Sequence, residues 1–511
     1  MSAARIPLVI QSCRAFADHL SPVLAYRRLV APDARTAPSL LLESVEQGGV
    51  IGRYSVVAAQ PAVTVTAHGH AVTVTDHRQG STEQLEVEDP LDVPRRLTRA
   101  YRPVASTPLP ATFVGGWGGT VGFDAVRWIE PKALPFAGAP RCDRGTADLA
   151  LSQYRAVAVF DHLNKSVEAF AAVPADEAGS ESSARAWAAS LASELMDRLC
   201  HGRESLEPGR FSLDLSAPPA LLESPTFSDA DFRGGVERCQ EYIRAGDAFQ
   251  IVLSRRFERW SGADPFDVYR ALRVVNPSPY QAYIQTGDAI LVAGSPEILC
   301  RTRGRALVNR PLAGTRPRGR DDATDRAHEA DLRADAKECA EHAMLVDLGR
   351  NDLARVAEAS SVAIESCMEV ERYSHVMHLS STVTATLREG LDAWDALRAT
   401  LPVGTVSGAP KVRAIQIIDE LEPVRRGPYA GALGVVGWQG DMDMAIALRT
   451  MVVPASTSGG GRWRYDLQAG AGVVLDSIPQ AEADETRHKA AALGRAIELA
   501  ESAFGSSLAG Q

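Results

Sequence analysis

The sequence lacks any uninterrupted apolar run that approaches the roughly 18 residues of a membrane-spanning helix. Its start, from Met1 to Ile10, holds too short an apolar run for a secretory signal peptide. Positive charge is in the minority, since 54 lysines and arginines face 64 aspartates and glutamates, which gives a formal net charge of −10. No basic stripe is visible, so no nucleic-acid partner and no membrane partner is expected. These absences predict a cytoplasmic protein.

Cysteine and lysine are sparse. The seven cysteines include no Cys-x-x-Cys pair, which is typical of reduced thiols. None lies in a Gly-x-Cys-x-Gly elbow, so the sequence shows no thiol nucleophile of the kind that hydrolyses glutamine. Of the few lysines, Lys337, Lys411 and Lys489 lie in or beside the motifs described below, which suits positions that need a compact ammonium charge.

The residues that are present describe an ordinary globular protein, with 45% hydrophobic and 23% charged residues. A chain of 511 residues is long enough for a large core and for more than one domain. Prolines interrupt the pattern of helices and strands between Pro208 and Thr226. We therefore divide the chain into an amino-terminal portion, 1–215, and a carboxyl-terminal portion, 216–511.

The most informative stretch runs from Ala336 to Asp352, where a predicted helix carries Glu338 and Glu341. Residues three apart on a helix point the same way, so the two carboxylates share one face. Glu482 and Glu485 repeat this spacing on another predicted helix. Two such pairs suit a hard cation such as Mg²⁺, which takes a few carboxylate oxygens and leaves positions for water and an anionic substrate.

Two other interpretations of this stretch stay open. One is a solvated helix face, because helical spacing puts an apolar arc opposite both glutamates; its members are Leu332, Ala336, Cys339, Ala340 and Ala343. Leu345 and Leu348 share the glutamate side, however, which favours a cleft lined by acids. The other is a zinc site built from Cys339-x-x-His342 and His375-x-x-His378.

Taken in order, several short motifs resemble those of the chorismate-utilising enzymes, most closely the component I (large subunit) type of anthranilate synthase. The resemblance covers most of residues 226–500 and extends more thinly into the amino-terminal half. The motifs are Ser-Pro-Glu297, Pro-Leu-Ala313-Gly-Thr, the two acid pairs, Met-His378-Leu, Gly404-Thr-Val-Ser-Gly, Tyr429-Ala-Gly and Gln468-Ala-Gly-Ala-Gly472.

The resemblance implies an α+β fold in which two large antiparallel β-sheets pack face to face with helices around them. It makes the amino-terminal portion regulatory and the carboxyl-terminal portion catalytic. It also implies a Mg²⁺ cofactor bound by Glu338, Glu341, Glu482 and Glu485. The residues that would hold chorismate, a dicarboxylate, are Gly404, Thr405, Tyr429, Arg449, Gly470, Gly472 and Lys489.

The implied reaction adds ammonia to ring carbon 2 of chorismate with loss of the 4-hydroxyl, and then eliminates pyruvate to give anthranilate. Glu297 stands where the family has an acid, and His378 matches the position associated with pyruvate elimination. Gln250 stands where isochorismate and salicylate synthases keep a lysine that activates water; neutral ammonia is already nucleophilic and needs no such base. Aminodeoxychorismate synthases commonly carry a nucleophilic lysine at the position of Ala313.

The resemblance further implies a glutamine amidotransferase subunit as the source of ammonia, hence a hetero-oligomer, and feedback inhibition by tryptophan. The inhibitor pocket would include Glu43, Ser44, Arg53, Pro279 and Tyr280. Aminodeoxychorismate synthase, followed by isochorismate or salicylate synthase, is the nearest alternative enzyme. A catalytically inactive tryptophan sensor is the alternative from a different class.

Overall fold

The computed structural model describes residues 5–44, 52–211, 222–224, 226–373, 376–455 and 461–505. The α-helices of this part of the chain are α1 (Pro22–Leu29), α2 (Asp92–Arg99), α3 (Val126–Ile129), α4 (Glu181–His201), α5 (Asp229–Arg244), α6 (Pro265–Val275), α7 (Asp322–Ala334), α8 (Ala336–Ala354), α9 (Ala393–Thr400), α10 (Lys411–Leu421) and α11 (Pro479–Phe504). None of them combines the length and the apolar character needed to cross a membrane.

The strands of the amino-terminal portion are β1 (Ile6–Phe16), β2 (Ser39–Glu43), β3 (Tyr54–Ala59), β4 (Val63–His68), β5 (Ala71–Asp76), β6 (Ser81–Glu86), β7 (Tyr101–Ala105), β8 (Gly116–Val121), β9 (Leu149–Tyr154), β10 (Ala156–Asp161) and β11 (Ser166–Pro174). Those of the carboxyl-terminal portion are β12 (Gln250–Ser261), β13 (Tyr280–Gln285), β14 (Ala289–Ser295), β15 (Ile298–Arg303), β16 (Ala306–Asn309), β17 (Leu312–Pro317), β18 (Ala363–Arg372), β19 (Val376–Thr386), β20 (Gly408–Ala409), β21 (Ala432–Gly437), β22 (Met442–Ile446), β23 (Thr450–Pro454) and β24 (Trp463–Val473).

The strands form two sheets of twelve strands each. The first has the order β20-β12-β24-β23-β14-β13-β2-β3-β10-β11-β1-β7. The second has the order β17-β19-β16-β15-β22-β21-β8-β9-β4-β5-β6, and β18 pairs with β19 beside this path. Both sheets therefore draw strands from both portions of the chain, and the portions meet where β13 pairs with β2 and β21 pairs with β8.

The two sheets pack face to face around a shared apolar core. Leu40, Ile284 and Leu291 of the first sheet belong to one buried cluster with Leu433 and Ala445 of the second. Transfer of such side chains from water is the main favourable contribution to folding. The expected α+β fold is confirmed, with one difference: β1 and β7 pair in parallel, whereas every other strand pairing is antiparallel among the described residues.

Helices cover the outer faces of both sheets. Apolar residues of α1, α4, α6 and α11 pack on the first sheet, and those of α5 and α10 pack on its strands β12 and β24. Apolar residues of α2, α3, α8 and α9 pack on the second sheet. Helix α8 begins at Ala336 because the Asp335 carboxylate accepts hydrogen bonds from the backbone amides of Lys337 and Glu338, at 3.0 and 3.1 Å. This cap fixes where α8 begins, and with it the direction in which the Glu338 and Glu341 side chains project from the helix.

The predicted boundary between residues 215 and 216 lies outside the described residues, and so does His375 of the zinc alternative. The predicted apolar arc on the central helix is wrong. Leu332 belongs to α7, which ends before the Asp335 cap, and Ala336, Ala340 and Ala343 are exposed on α8. The face of α8 that carries Leu345 is the buried one.

Candidate active site

The two acid pairs lie on α8 and α11 at the end of the molecule where β12 and β24 run side by side. The Gln250 side chain, at the start of β12, donates from Nε2 to Glu341 Oε1 over 2.8 Å. On α11, Lys489 forms an ion pair with Glu485 over 2.6 Å and donates to the Gly470 carbonyl over 2.9 Å. Each acid pair thus borders the glycine-rich end of β24.

Gly472 shows why this end of β24 needs glycine. A Cβ atom placed there would lie 2.7 Å from Gln250 Nε2 and 3.4 Å from Glu341 Oε1. Any other residue would push the amide away from the carboxylate. The missing side chain therefore keeps open the space beside Glu341, as expected of a position that approaches a ligand with its backbone.

Negative charge at the acid pairs is only partly balanced. Burial raises the pKa of Glu338, and the neighbouring Glu341 raises it further. Burial likewise raises the pKa of Glu482, with a further upward contribution from Glu485. Carboxylates that are hard to ionise because they are buried beside one another favour a bound cation.

The acid pairs offer carboxylate oxygens only, which is the donor chemistry that Mg²⁺ prefers. Among the described residues, no group of three or more His, Cys, Asp or Glu side chains is spaced closely enough to hold a metal ion. The four glutamates fit Mg²⁺ by donor type and charge, but in this structure their side chains do not form such a group. The zinc alternative is not supported, since His342 Nε2 is hydrogen-bonded to Ser381 Oγ at 2.6 Å.

His378 lies on β19 and is held by the strand beside it. Its Nδ1 is 3.1 Å from the Gly314 carbonyl and 3.0 Å from Thr315 Oγ1. A carbonyl only accepts, so Nδ1 carries the proton and Nε2 keeps its lone pair. Burial, assisted by the nearby Arg449, lowers the pKa of His378 to about 4. The imidazole is therefore a neutral base at pH 7.

Glu297 has the opposite character. It lies between β14 and β15 with 6% of its surface exposed. Burial raises its pKa to about 8, although the Thr405 hydroxyl and the Leu312 backbone amide oppose this shift. The side chain is consequently protonated at pH 7 and can donate a proton.

Arg449 lies in the short link between β22 and β23. Its backbone has φ of 45°, a left-handed conformation that non-glycine residues rarely adopt. Burial lowers the pKa of the guanidinium, and no described carboxylate lies within ion-pair distance of it. Its side-chain hydrogen bond runs from Nη1 to Asn276 Oδ1 over 3.1 Å. An arginine in this state is prepared for an anionic ligand.

The remaining predicted substrate residues surround the same space. Tyr429 is buried with its hydroxyl beside Gly470, and burial raises its pKa to about 12. Gly404 and Thr405 form a short 3₁₀ turn, where a Cβ at Gly404 would lie 2.3 Å from the Leu348 side chain of α8. Close packing of this turn on α8 therefore depends on glycine, and it brings Thr405 to Glu297.

Comparison with known proteins decides the family. The protein-family model described as "chorismate binding enzyme" matches residues 37–495. The chain belongs to this family. Anthranilate synthase alpha subunit 1, chloroplastic, from Oryza sativa subsp. japonica is 49% identical over 505 residues, covering 96% of this chain and 87% of the relative. Anthranilate synthase component 1 from Pseudomonas putida is 43% identical over 501 residues, covering 97% and 96%.

A solved structure agrees with these relatives. The crystal structure of anthranilate synthase component I from Streptococcus pneumoniae TIGR4 has a TM-score of 0.71 and 35% identity, and the match covers 94% of this chain and 99% of that one. The resemblance to component I of anthranilate synthase is thereby confirmed, and so is the prediction of an enzyme that acts on chorismate.

The five predicted inhibitor residues of this chorismate-binding enzyme line one cavity of about 840 Å³ between the two sheets; they are Glu43, Ser44, Arg53, Pro279 and Tyr280. The carboxylate of Glu43 accepts from Tyr269 Oη at 2.7 Å and from Arg273 Nη2 at 3.1 Å. Arg53 forms an ion pair with Asp161 over 3.1 Å. The cavity lies at the junction of β2 and β13, and its wall also includes Tyr373, whose ring lies against His378.

Sequence analysis assigned no catalytic or substrate-binding role to several residues that hold this site of the chorismate-binding enzyme together. Thr315 and Gly314 set the tautomer of His378, and Asn276 holds Arg449. The paired residues are 63 to 173 residues apart in the chain. No local pattern could have joined them; only the strand pairing brings them together.

Proposed function

We propose that this chain is the ammonia-using subunit of an anthranilate synthase, which converts chorismate and ammonia to anthranilate, pyruvate and water. The observation that carries the proposal is the partly buried guanidinium of Arg449, which has no carboxylate partner among the described residues and lies near the neutral base His378. Chorismate brings two carboxylates. Arg449 and Lys489 would bind one of them, close to the Tyr429 hydroxyl and the glycines of β24.

The protonation states of the site support a sequence of two steps. Ammonia adds to ring carbon 2 while protonated Glu297 donates its proton to the departing 4-hydroxyl, which leaves as water. The added nitrogen, now an ammonium, gives up one proton to become the amine. His378 Nε2 then removes the remaining proton from carbon 2, and the enolpyruvyl group leaves carbon 3 with the electron pair, takes up a proton and becomes pyruvate. The ring is now aromatic. Gln250 is not a base, and none is needed at its position because neutral ammonia is already a nucleophile.

Glu338, Glu341, Glu482 and Glu485 are the residues that would hold Mg²⁺. When bound, the ion supplies positive charge that neutralises the ring carboxylate of chorismate. The pairing of Glu485 with Lys489 and of Glu341 with Gln250 would keep these two carboxylates oriented toward the site.

A partner subunit completes the proposal. The names of the relatives, component 1 and alpha subunit, fit a second component that hydrolyses glutamine. We propose a hetero-oligomer in the cytoplasm with a glutamine amidotransferase, and tryptophan as the inhibitor that occupies the 840 Å³ cavity.

The decisive experiment incubates the purified chain with chorismate, MgCl₂ and ammonium chloride, with and without tryptophan. We expect fluorescent anthranilate and equimolar pyruvate, both dependent on Mg²⁺ and reduced by tryptophan. A product that keeps its pyruvyl ether would instead identify an aminodeoxychorismate synthase. Isochorismate, salicylate or no product at all would also reject the proposal.

A further inference from the structure

Asn276 contacts Arg449 from the turn that precedes β13. Its Oδ1 accepts from Arg449 Nη1 over 3.1 Å, while its Nδ2 donates to the Gly294 carbonyl over 3.0 Å and to Ser278 Oγ over 3.1 Å. Every polar atom of the amide is engaged.

The orientation of this amide is fixed by its partners. The Gly294 carbonyl can only accept and the Arg449 guanidinium can only donate, so a flipped amide would lose both hydrogen bonds. The backbone reinforces the arrangement, because the Gly294 amide donates to the Arg449 carbonyl over 3.1 Å. Asn276 and Gly294 thus hold Arg449 from two sides while its backbone adopts the left-handed conformation.

The neutrality of Asn276 matters for a ligand. An aspartate could bind the same guanidinium, but it would neutralise the charge that a substrate carboxylate needs and would face the Gly294 carbonyl with a second oxygen. A neutral amide orients the guanidinium and leaves its charge uncompensated. Arg449 accordingly has no ion-pair partner among the described residues.

We propose that Asn276 is a positioning residue that orients Arg449 toward the substrate carboxylate without neutralising the charge of the guanidinium. The inference rests on the proposed function, because it takes that carboxylate to belong to chorismate. It assigns to Asn276 an effect on substrate affinity, exerted through Arg449, rather than on the bond-making steps at Glu297 and His378.

The test compares Asn276→Asp, Asn276→Ala and Gly294→Ala by steady-state kinetics with ammonia and by equilibrium binding of chorismate without ammonia. For Asn276→Asp we expect KM and Kd for chorismate to rise by about tenfold or more, with kcat within about threefold of wild type. Asn276→Ala should raise KM less. Gly294→Ala should act like Asn276→Ala, because its Cβ would lie 2.7 Å from Asn276 Nδ2 and displace the amide.

Asn309→Asp is the matched control. Asn309 is a buried asparagine whose Nδ2 donates to the Leu299 carbonyl over 2.7 Å, and among the described residues it makes no hydrogen bond with Arg449. This variant should lose thermal stability as Asn276→Asp does, yet keep a wild-type KM.

Unchanged KM and Kd in folded Asn276→Asp, or an equal change in Asn309→Asp, would overturn the inference. So would a loss of kcat at constant KM. If the wild type binds chorismate but makes no anthranilate, the binding measurement still decides the role of Asn276, and the proposed reaction alone falls.

Discussion

The paired protonation states of His378 and Glu297 predict the pH dependence of the reaction. Turnover needs neutral His378, whose pKa is lowered to about 4, and protonated Glu297, whose pKa is raised to about 8. We therefore expect kcat to be level between these values, to fall below about pH 4 and to fall as pH rises through about 8. Initial rates measured at constant free ammonia check this. An alkaline limb that survives in Glu297→Gln would contradict the assignment.

His378→Gln separates the two chemical steps. Glutamine keeps a polar side chain of similar reach but is not a base, so elimination should slow by about 10²–10⁴-fold while ammonia still adds. We expect the aminated ring that retains its pyruvyl ether to accumulate, detected by chromatography and mass spectrometry. A variant that releases anthranilate at the wild-type rate would remove His378 from the proposed step.

The acid pairs predict a loss of Mg²⁺-dependent turnover. Removing one carboxylate charge in Glu341→Gln or Glu485→Gln should lower activity by at least about 100-fold and leave the circular dichroism spectrum unchanged. Glu237→Gln, an exposed glutamate on α5, is the control and should behave as wild type. Wild-type rates at saturating Mg²⁺ in either test variant would reject the metal assignment.

At the level of the element, sequence periodicity predicted the helix of the first acid pair but not which of its faces is buried. Alanines at helical spacing suggested an apolar arc, yet Ala336, Ala340 and Ala343 are exposed. The reason is that the Asp335 cap separates α7 from α8, so α8 starts as a new helix with its own orientation. Small apolar residues tolerate either side of a helix. Leu345, with more surface to bury, marked the true face.

Arg449 illustrates a second limit. Two short β-branched and apolar runs flank it, and their pattern predicts strands around Met444–Val453 that carry the arginine. The structure ends β22 at Ile446 and starts β23 at Thr450, with Arg449 in a left-handed turn between them. Such a conformation is held by tertiary partners, here Asn276 and Gly294, and so leaves no local signature.

The elements around the cavity predict how inhibition responds to mutation. Ser44→Ala and Arg53→Ala, at the end of β2 and the start of β3, should each raise the tryptophan inhibition constant roughly tenfold, because each removes a polar group from the cavity wall. Arg14→Ala removes an exposed arginine that pairs with Glu168 on β11 and is the control. Unchanged inhibition in both test variants would place the inhibitor elsewhere.

At the scale of the whole molecule, the shared sheets predict that neither portion folds alone. Separate chains of residues 1–215 and 216–511 would expose the long edges of β2 and β8, or of β13 and β21, which pair with each other in the structure. We expect each fragment to aggregate and lack a cooperative unfolding transition, and co-expression to restore turnover. A monodisperse fragment with its own transition would contradict this.

The sequence predicted the fold of the whole molecule only through resemblance to a family. Strand order follows from pairings between distant segments, such as Ala282 of β13 with Leu42 of β2, and no periodicity records which strands will be neighbours. The regulatory and catalytic assignments of the two portions stay predictions. What the residues themselves predicted was local: the two acid pairs and the helices that carry them.

The position of the cavity has a practical consequence. Since Glu43 comes from β2 and Tyr280 from β13, a molecule bound there would contact both portions of the chain at once. Its binding energy would add directly to the resistance of the whole protein to heat. Melting curves could therefore rank inhibitors even in a variant that no longer turns over chorismate, such as Glu341→Gln.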